Sequence, residues 1–255
     1  MLKDIISTEI VYVKKFTDYF EDADVIQFRD YSLKDMRAHN FTYLKQDSPE
    51  LLTLVTDACM SRQKEEAVFF RLESNFPIPD EILAELPVSP VTTVYDYMFI
   101  NTDQSSKLSG NESCMIHKAD EYEILTAGIN VDIIANQQHM GEDFAKRRIE
   151  RKSEVYKKTD SNLDLFVCYA DGKPIGNCEL LHNDNIVKIE DFDILTDYQR
   201  KGYGTQFLKF LLEEAQKYGS KIAYVVTDQK DSAKDMYAKC GFSKVGEKYV
   251  YLLNF

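Results

Sequence analysis

Toward the end of the chain the apolar positions follow two periods. In TQFLKFLLEEAQKY, Leu208, Leu211, Leu212 and Ala215 recur at the spacing of one helix face, and Gly219 stands where a C-terminal cap belongs. Around this helix, LDLFVCYA, KPIGNCELLH, IVKIEDFDIL, KIAYVV and KYVYLL read as strands. Asp171-Gly172 and Asp184-Asn185 are turn pairs that join the first three. CMIHK opens this back half as a strand, and EYEILTAGINVDII and GEDFAKRRIERKSEVYKK follow as helices. A short helix, SAKDMYAKC, is ended by Gly241.

The front half alternates in the same way. A helix is expected over Thr8 to Phe20, with strands near Asp24–Tyr31 and Phe41–Lys45. Ser48-Pro49-Glu50 has the residues of a helix start, and Leu51, Leu52, Val55 and Cys59 then share one face. The strand AVFFRL, the short helix DEILAEL and the strand VTTVYDYMFI complete a β-β-α-β-α-β order.

Composition separates the halves. All ten glycines lie at or beyond Gly110, and five of the six prolines lie at or before Pro90. The stretch TDQSSKLSGNES, Thr102 to Ser113, is polar except for Leu108. The expected organisation is an α/β domain at 1–105, a linker at 106–113 and a second domain at 114–255. Without glycine, the front domain has no evident loop where backbone could close around a phosphate.

The net charge is −12 over 255 residues, and no basic patch or stripe suggests nucleic-acid binding. Acidity of this kind serves solubility, or attracts cations such as protonated amines. No apolar run approaches the length of a spanning helix, and the N-terminus has no signal-peptide core. The five cysteines show no C-x-x-C spacing, and the hairpin register at Asp171-Gly172 places Cys178 across from Leu165 instead of Cys168. The four histidines have no metal-ligand spacing. A reduced, metal-free cytoplasmic protein is expected, with no membrane partner.

The seam QRKGYGT, Gln199 to Thr205, joins a strand to the amphipathic helix. A helix start offers unpaired N–H groups and the positive end of the helix dipole. Gly202 and Gly204 remove side chains that would block close approach, and Arg200 and Lys201 add positive charge. The seam reads either as an anion cradle or as a tight structural turn. The P-loop pattern is absent, and the dinucleotide pattern fails at Phe207.

The pattern [Q/R]-x-x-G-x-[G/A] between a strand and an amphipathic helix resembles the GNAT superfamily of acyl-CoA-dependent N-acetyltransferases. The later Y-x-x-x-G-F, Tyr237 to Phe242, and the element order from Cys114 to Phe255 carry the resemblance through the back half. One departure is Lys230, with Asp228 nearby, where many members have an asparagine that contacts the pantetheine arm. The implied fold is a GNAT-like mixed central sheet flanked by helices. The smaller front domain looks like a degenerate copy that lacks the phosphate loop.

The resemblance implies acetyl transfer from acetyl-CoA to a primary amine by direct attack in a ternary complex. Arg200, Lys201, Gly202, Tyr203, Gly204 and Thr205 would hold the pyrophosphate. Ile194 and Leu195 would lie beside the pantetheine, with the Ile194 N–H toward the acetyl oxygen. Glu190, in strict strand alternation with Phe192 and Ile194, is the candidate base, with Asp191 and Asp193 as neighbours that could take that role. Asp193 is also the candidate for binding a cationic acceptor. The bland alternative solvates these acids or pairs them with Lys188. Tyr237 would protonate the coenzyme A thiolate, or else it packs a core, and Cys240 reads as a small core residue. A non-catalytic acyl-CoA-binding or scaffold protein is the rival reading. The acceptor's identity and self-association into a homodimer stay open.

Overall fold

The structure is a computed structural model that describes residues 1–158 and 160–255. Its first 101 residues form α1 (Leu2–Lys14), β1 (Asp18–Glu21), β2 (Val25–Arg29), β3 (Thr42–Leu44), α2 (Leu51–Lys64), β4 (Phe69–Ser74), α3 (Asp80–Leu83) and β5 (Val91–Asn101). The remainder forms β6 (Cys114–Lys118), α4 (Tyr122–Met140), α5 (Glu142–Tyr156), β7 (Leu163–Ala170), β8 (Lys173–Asn183) and β9 (Ile186–Ile194). It ends with α6 (Tyr203–Lys217), β10 (Ile222–Asp228), α7 (Ala233–Lys239) and β11 (Ser243–Asn254).

Contacts gather these elements into two compact units drawn from interleaved segments. One holds residues 1–15, 98–225 and 235–243, and the other 16–97, 226–234 and 244–255. The division therefore differs from contiguous domains at 1–105 and 114–255. Two features cause the difference: α1 packs on β8 and β9, and β11 lies beside β4. The expected linker is also ordered. Thr102–Lys107 is a 3-10 turn packed on α6, where Gln216 Nε2 donates to the Thr102 carbonyl at 2.6 Å.

In the first unit the strand order runs from the end of β5 through β10, β9, β8 and β7 to β6. Here β9 and β10 are parallel, while β8–β9, β7–β8 and β6–β7 are antiparallel. Phe207, Leu208, Leu211, Leu212 and Ala215 are all fully buried, so the stripe on α6 faces a core as its spacing predicts. In the second unit the order is β1, β2, β3, β4, β11 and the start of β5. Its core gathers Val25, Leu44, Val55, Phe70, Leu72, Tyr251 and Leu253.

The two halves of the chain share a topology. Three antiparallel strands are followed by a helix, a strand parallel to the third, a short helix and a last strand. The front half does this with β1 to β5, where β4 is parallel to β3, and the back half with β7 to β11. The last strands are exchanged, β11 pairing with β4 and β5 neighbouring β10. Where the back half has QRKGYGT before α6, the front half has KQDSPE before α2, with no glycine.

Local departures have local causes. The first helix runs from Leu2 instead of Thr8. Leu52 is exposed, and Ala58 takes its expected place in the buried face of α2. A bulge after Cys168 shifts the β7–β8 register, so Cys178 lies opposite Phe166 and not Leu165. All five cysteines are free thiols. Among the described residues no helix is long and apolar enough to cross a membrane.

Candidate functional site

The seam between β9 and α6 is built by two left-handed residues. Arg200 has φ +57° and Gly202 +85°, and α6 starts directly afterwards at Tyr203. The first intrahelical bond is from the Gln206 N–H to the Gly202 carbonyl, at 3.1 Å. The N–H groups of Tyr203, Gly204 and Thr205 lie ahead of it, as helix geometry requires. A Cβ at Gly204 would have Ile194 and Phe192 only at 3.7 and 3.8 Å, so the protein's own packing leaves room there. That open surface, beside unbonded donors and the exposed Arg200 and Lys201, fits a phosphate-bearing ligand. Lys201 Nζ lies over the Tyr198 ring at 5.5 Å, and Tyr203 is buried.

The edge of β9 next to the seam is open. β10 pairs with β9 only at Ile186, Val187 and Lys188, and the two strands part beyond that point. On the other side, the Leu195 N–H bonds the Ile175 carbonyl at 2.8 Å, which makes Ile194 and Gly176 a pair without mutual backbone bonds. The Ile194 N–H therefore points away from β8, into the gap. Leu195 instead spends its N–H on β8, and Gln199 Nε2 caps the Ile194 carbonyl at 2.8 Å.

Strict alternation along β9 fails at Asp191. Glu190 is opposite Glu179 and Asp193 opposite Asn177, leaving Asp191 and Phe192 against Cys178 alone. Asp191 has φ +46°, as a bulged residue can. Phe192 turns toward α6, with its ring 5.4 Å from Phe207. Glu190 instead pairs with Lys188 at 3.0 Å, and Lys188 also binds Glu9 of α1. The candidate base and Phe192 thus lie on opposite faces, and the pairing with Lys188 is present.

The three acids of IEDFDIL have three environments. Burial works to raise the Asp191 pKa, but Arg148 at 2.7 Å and Lys152 reverse it and hold the carboxyl well below its ordinary range. Burial, and then repulsion from Asp191, push Asp193 up to about 6, and Asn136 Nδ2 donates to it at 3.3 Å. Asn177, opposite Asp193, is fully buried with neither side-chain amide atom bonded to protein. Glu190 keeps a partly exposed side chain.

Behind these acids lies a network that periodicity did not disclose. Arg148 also binds the fully buried Asp132 at 2.5 Å, and burial pushes that carboxyl up to about 6. Lys152 also meets Glu179 at 2.5 Å, and Glu179 accepts from Tyr12 at 2.6 Å and from Tyr156. The one available signal is the density of charge on α5, whose basic residues at 148 and 152 share a face at i, i+4.

Tyr237 on α7 is buried, its ring 6.5 Å from Phe192 and 5.3 Å from Phe242. Burial, reinforced by the Glu190 carboxylate, pushes its hydroxyl well above the ordinary phenol range. Cys240 is buried and its thiol is raised by burial, as a core residue's would be.

The profile of the GNAT acetyltransferase domain matches residues 127–251. The uncharacterized N-acetyltransferase CgeE of Bacillus subtilis (strain 168) is 35% identical over 125 residues, which are 47% of this chain and 48% of that protein. The match therefore spans about half the length of the curated relative. A functionally unknown conserved protein from Staphylococcus epidermidis ATCC 12228 superposes with a TM-score of 0.79 at 18% identity, over 94% of this chain and 95% of its own. A GCN5-related N-acetyltransferase from Kribbella flavida gives 0.72 at 12% identity, over 97% and 94%. At such identities the two structures speak for a shared fold along nearly the whole chain. With the helix-start seam, the parted strands and these matches together, residues 127–251 are a domain of the GNAT acetyltransferase superfamily.

Proposed function

We propose that the protein transfers an acetyl group from acetyl-CoA to a primary amine, by direct attack within a ternary complex. The observation that carries this reading is the parting of β9 from β10 beside the open N-terminus of α6. An extended thioester arm needs a strand edge to bond with, and its pyrophosphate needs a cluster of N–H donors. Both lie within one seam. Acetyl-CoA would supply the acyl group as an activated thioester.

The chain's own residues then take separate roles. Arg200, Lys201 and the backbone from Gly202 to Thr205 hold the pyrophosphate, and the Ile194 N–H faces the acetyl oxygen. Asp191, already bound by two cations, is a poor proton acceptor. Glu190, partly exposed, removes the proton from the incoming ammonium, directly or through water. Asp193, with the unbonded Asn177 amide opposite, receives a cationic acceptor. The amine nitrogen bonds to the carbonyl carbon, the carbon–sulfur bond breaks, Tyr237 gives its proton to the departing sulfur, and the second proton shed by the new amide nitrogen restores the Tyr237 hydroxyl.

The ion pair of Glu190 with Lys188 favours a second reading, in which the seam binds acyl-CoA and no base works. A panel of primary amines, assayed by thiol release from acetyl-CoA, separates the two. Turnover that falls by about 10²-fold or more in Glu190→Gln, with CoA affinity kept, supports the transferase. CoA binding without turnover by any amine supports the binder.

A further inference from the structure

We infer that Asn111, in the polar stretch ahead of β6, is a positioning residue of the phosphate cradle, an assignment that rests on the seam's being the CoA site. Asn111 holds two successive carbonyls of the seam from behind. Its backbone N–H donates to the Gly202 carbonyl at 3.1 Å, and its Nδ2 donates to the Lys201 carbonyl at 3.2 Å.

The consequence follows from peptide geometry. In a planar trans peptide the carbonyl and the next residue's N–H point in opposite directions. Pinning the Lys201 carbonyl therefore aims the Gly202 N–H outward, and pinning the Gly202 carbonyl does the same for Tyr203. These are two of the donors a pyrophosphate would use. The Gly202 carbonyl is also held by the Gln206 N–H, so the peptide that depends on the Asn111 side chain is Lys201–Gly202, which glycine's several accessible backbone conformations would otherwise leave free to rotate.

The clamp is itself held in place. Ser113 donates from its N–H at 3.0 Å and from Oγ at 2.6 Å to Asn111 Oδ1, which turns the Nδ2 side of the amide toward Lys201. The preceding residue passes so close to α6 that a Cβ on Gly110 would lie 2.3 Å from the Gln206 nitrogen. Only glycine allows that approach. The amide of Asn111 thus acts on an anion through the seam's backbone, with no contact of its own.

Calorimetric titration of coenzyme A, and separately of acetyl-pantetheine, which lacks the pyrophosphate, tests this with wild type and Asn111→Ala. The expected result is CoA binding weakened about tenfold, the loss of one well-placed hydrogen bond and its ordering effect. Acetyl-pantetheine affinity and melting temperature should stay at wild-type values. Ser113→Ala, which keeps both clamp donors but loosens the amide, should show a smaller CoA loss. Equal CoA affinity in wild type and Asn111→Ala would overturn the clamp and leave the cradle standing. So would equal losses for both ligands, which would mean a general structural role. A wild type that binds no CoA would overturn the cradle and the clamp with it.

Discussion

Arg148 donates from Nη1 to Asp191 Oδ2 at 2.7 Å, tying α5 to the bulged residue of β9. The same guanidinium holds Asp132 of α4 at 2.5 Å. One cation therefore compensates two acids beside the parted strands, where an unpaired charge would be expensive. Arg148→Met should cost about 3–5 kcal/mol of stability, since it takes the cation from the buried Asp132 and leaves Asp191 with Lys152 alone. Adding Asp132→Asn should recover part of that loss. Urea unfolding of wild type, the two single variants and the double variant checks both statements, and additive effects would contradict a shared network.

Asp193 carries a pH signature. Its folded-state pKa is raised from 3.8 to about 6, with burial as the main cause. A carboxyl raised in this way favours the folded state at low pH, and the advantage is lost as pH rises through about 6. At pH 8 its ionisation therefore costs at most about 3 kcal/mol, since each tenfold change in proton affinity is worth about 1.4 kcal/mol. Asp193→Asn should be more stable than wild type at pH 8, and the difference should shrink toward pH 4. Melting curves at both values give the answer. The same variant should raise KM for a cationic acceptor.

Much of this could be read in the chain, and the unread part has physical reasons. The stripe of Leu208, Leu211, Leu212 and Ala215 named a buried helix face because helical periodicity is a local signal. Gly202 at φ +85° was legible for the same kind of reason: the turn needs what only that residue readily gives. The bulge at Asp191 was not, since no glycine marks it and the residues on either side alternate plausibly. Asp132 and Arg148 give no signal of their own, because charged residues on a helix ordinarily face water. Their burial depends on a partner 16 residues away and on β9 beyond it. The exchange of β5 and β11 escaped because a strand's period of two says which face is buried and not which neighbour it pairs with.

Tyr237 is buried among Phe192 and Phe242, and its hydroxyl holds its proton through neutral pH. The ring packing survives replacement by phenylalanine. Tyr237→Phe should lower kcat by about 10²-fold or more while CoA affinity stays unchanged. Steady-state kinetics beside a CoA titration separate the effects. Full turnover in the variant would return Tyr237 to a packing role.

If the seam from Gln199 to Thr205 holds the pyrophosphate of acetyl-CoA, Gly204→Val should abolish that binding without unfolding the protein. The first side-chain carbon meets nothing closer than 3.7 Å, so the variant should fold with a melting temperature near that of wild type. A valine there would stand in the space left for the ligand. Wild type should bind acetyl-CoA in calorimetric titration with a Kd on the order of micromolar, about −8 kcal/mol. The folded variant should show no measurable binding. Equal binding by the two proteins, or none by wild type, would contradict a cradle at this seam.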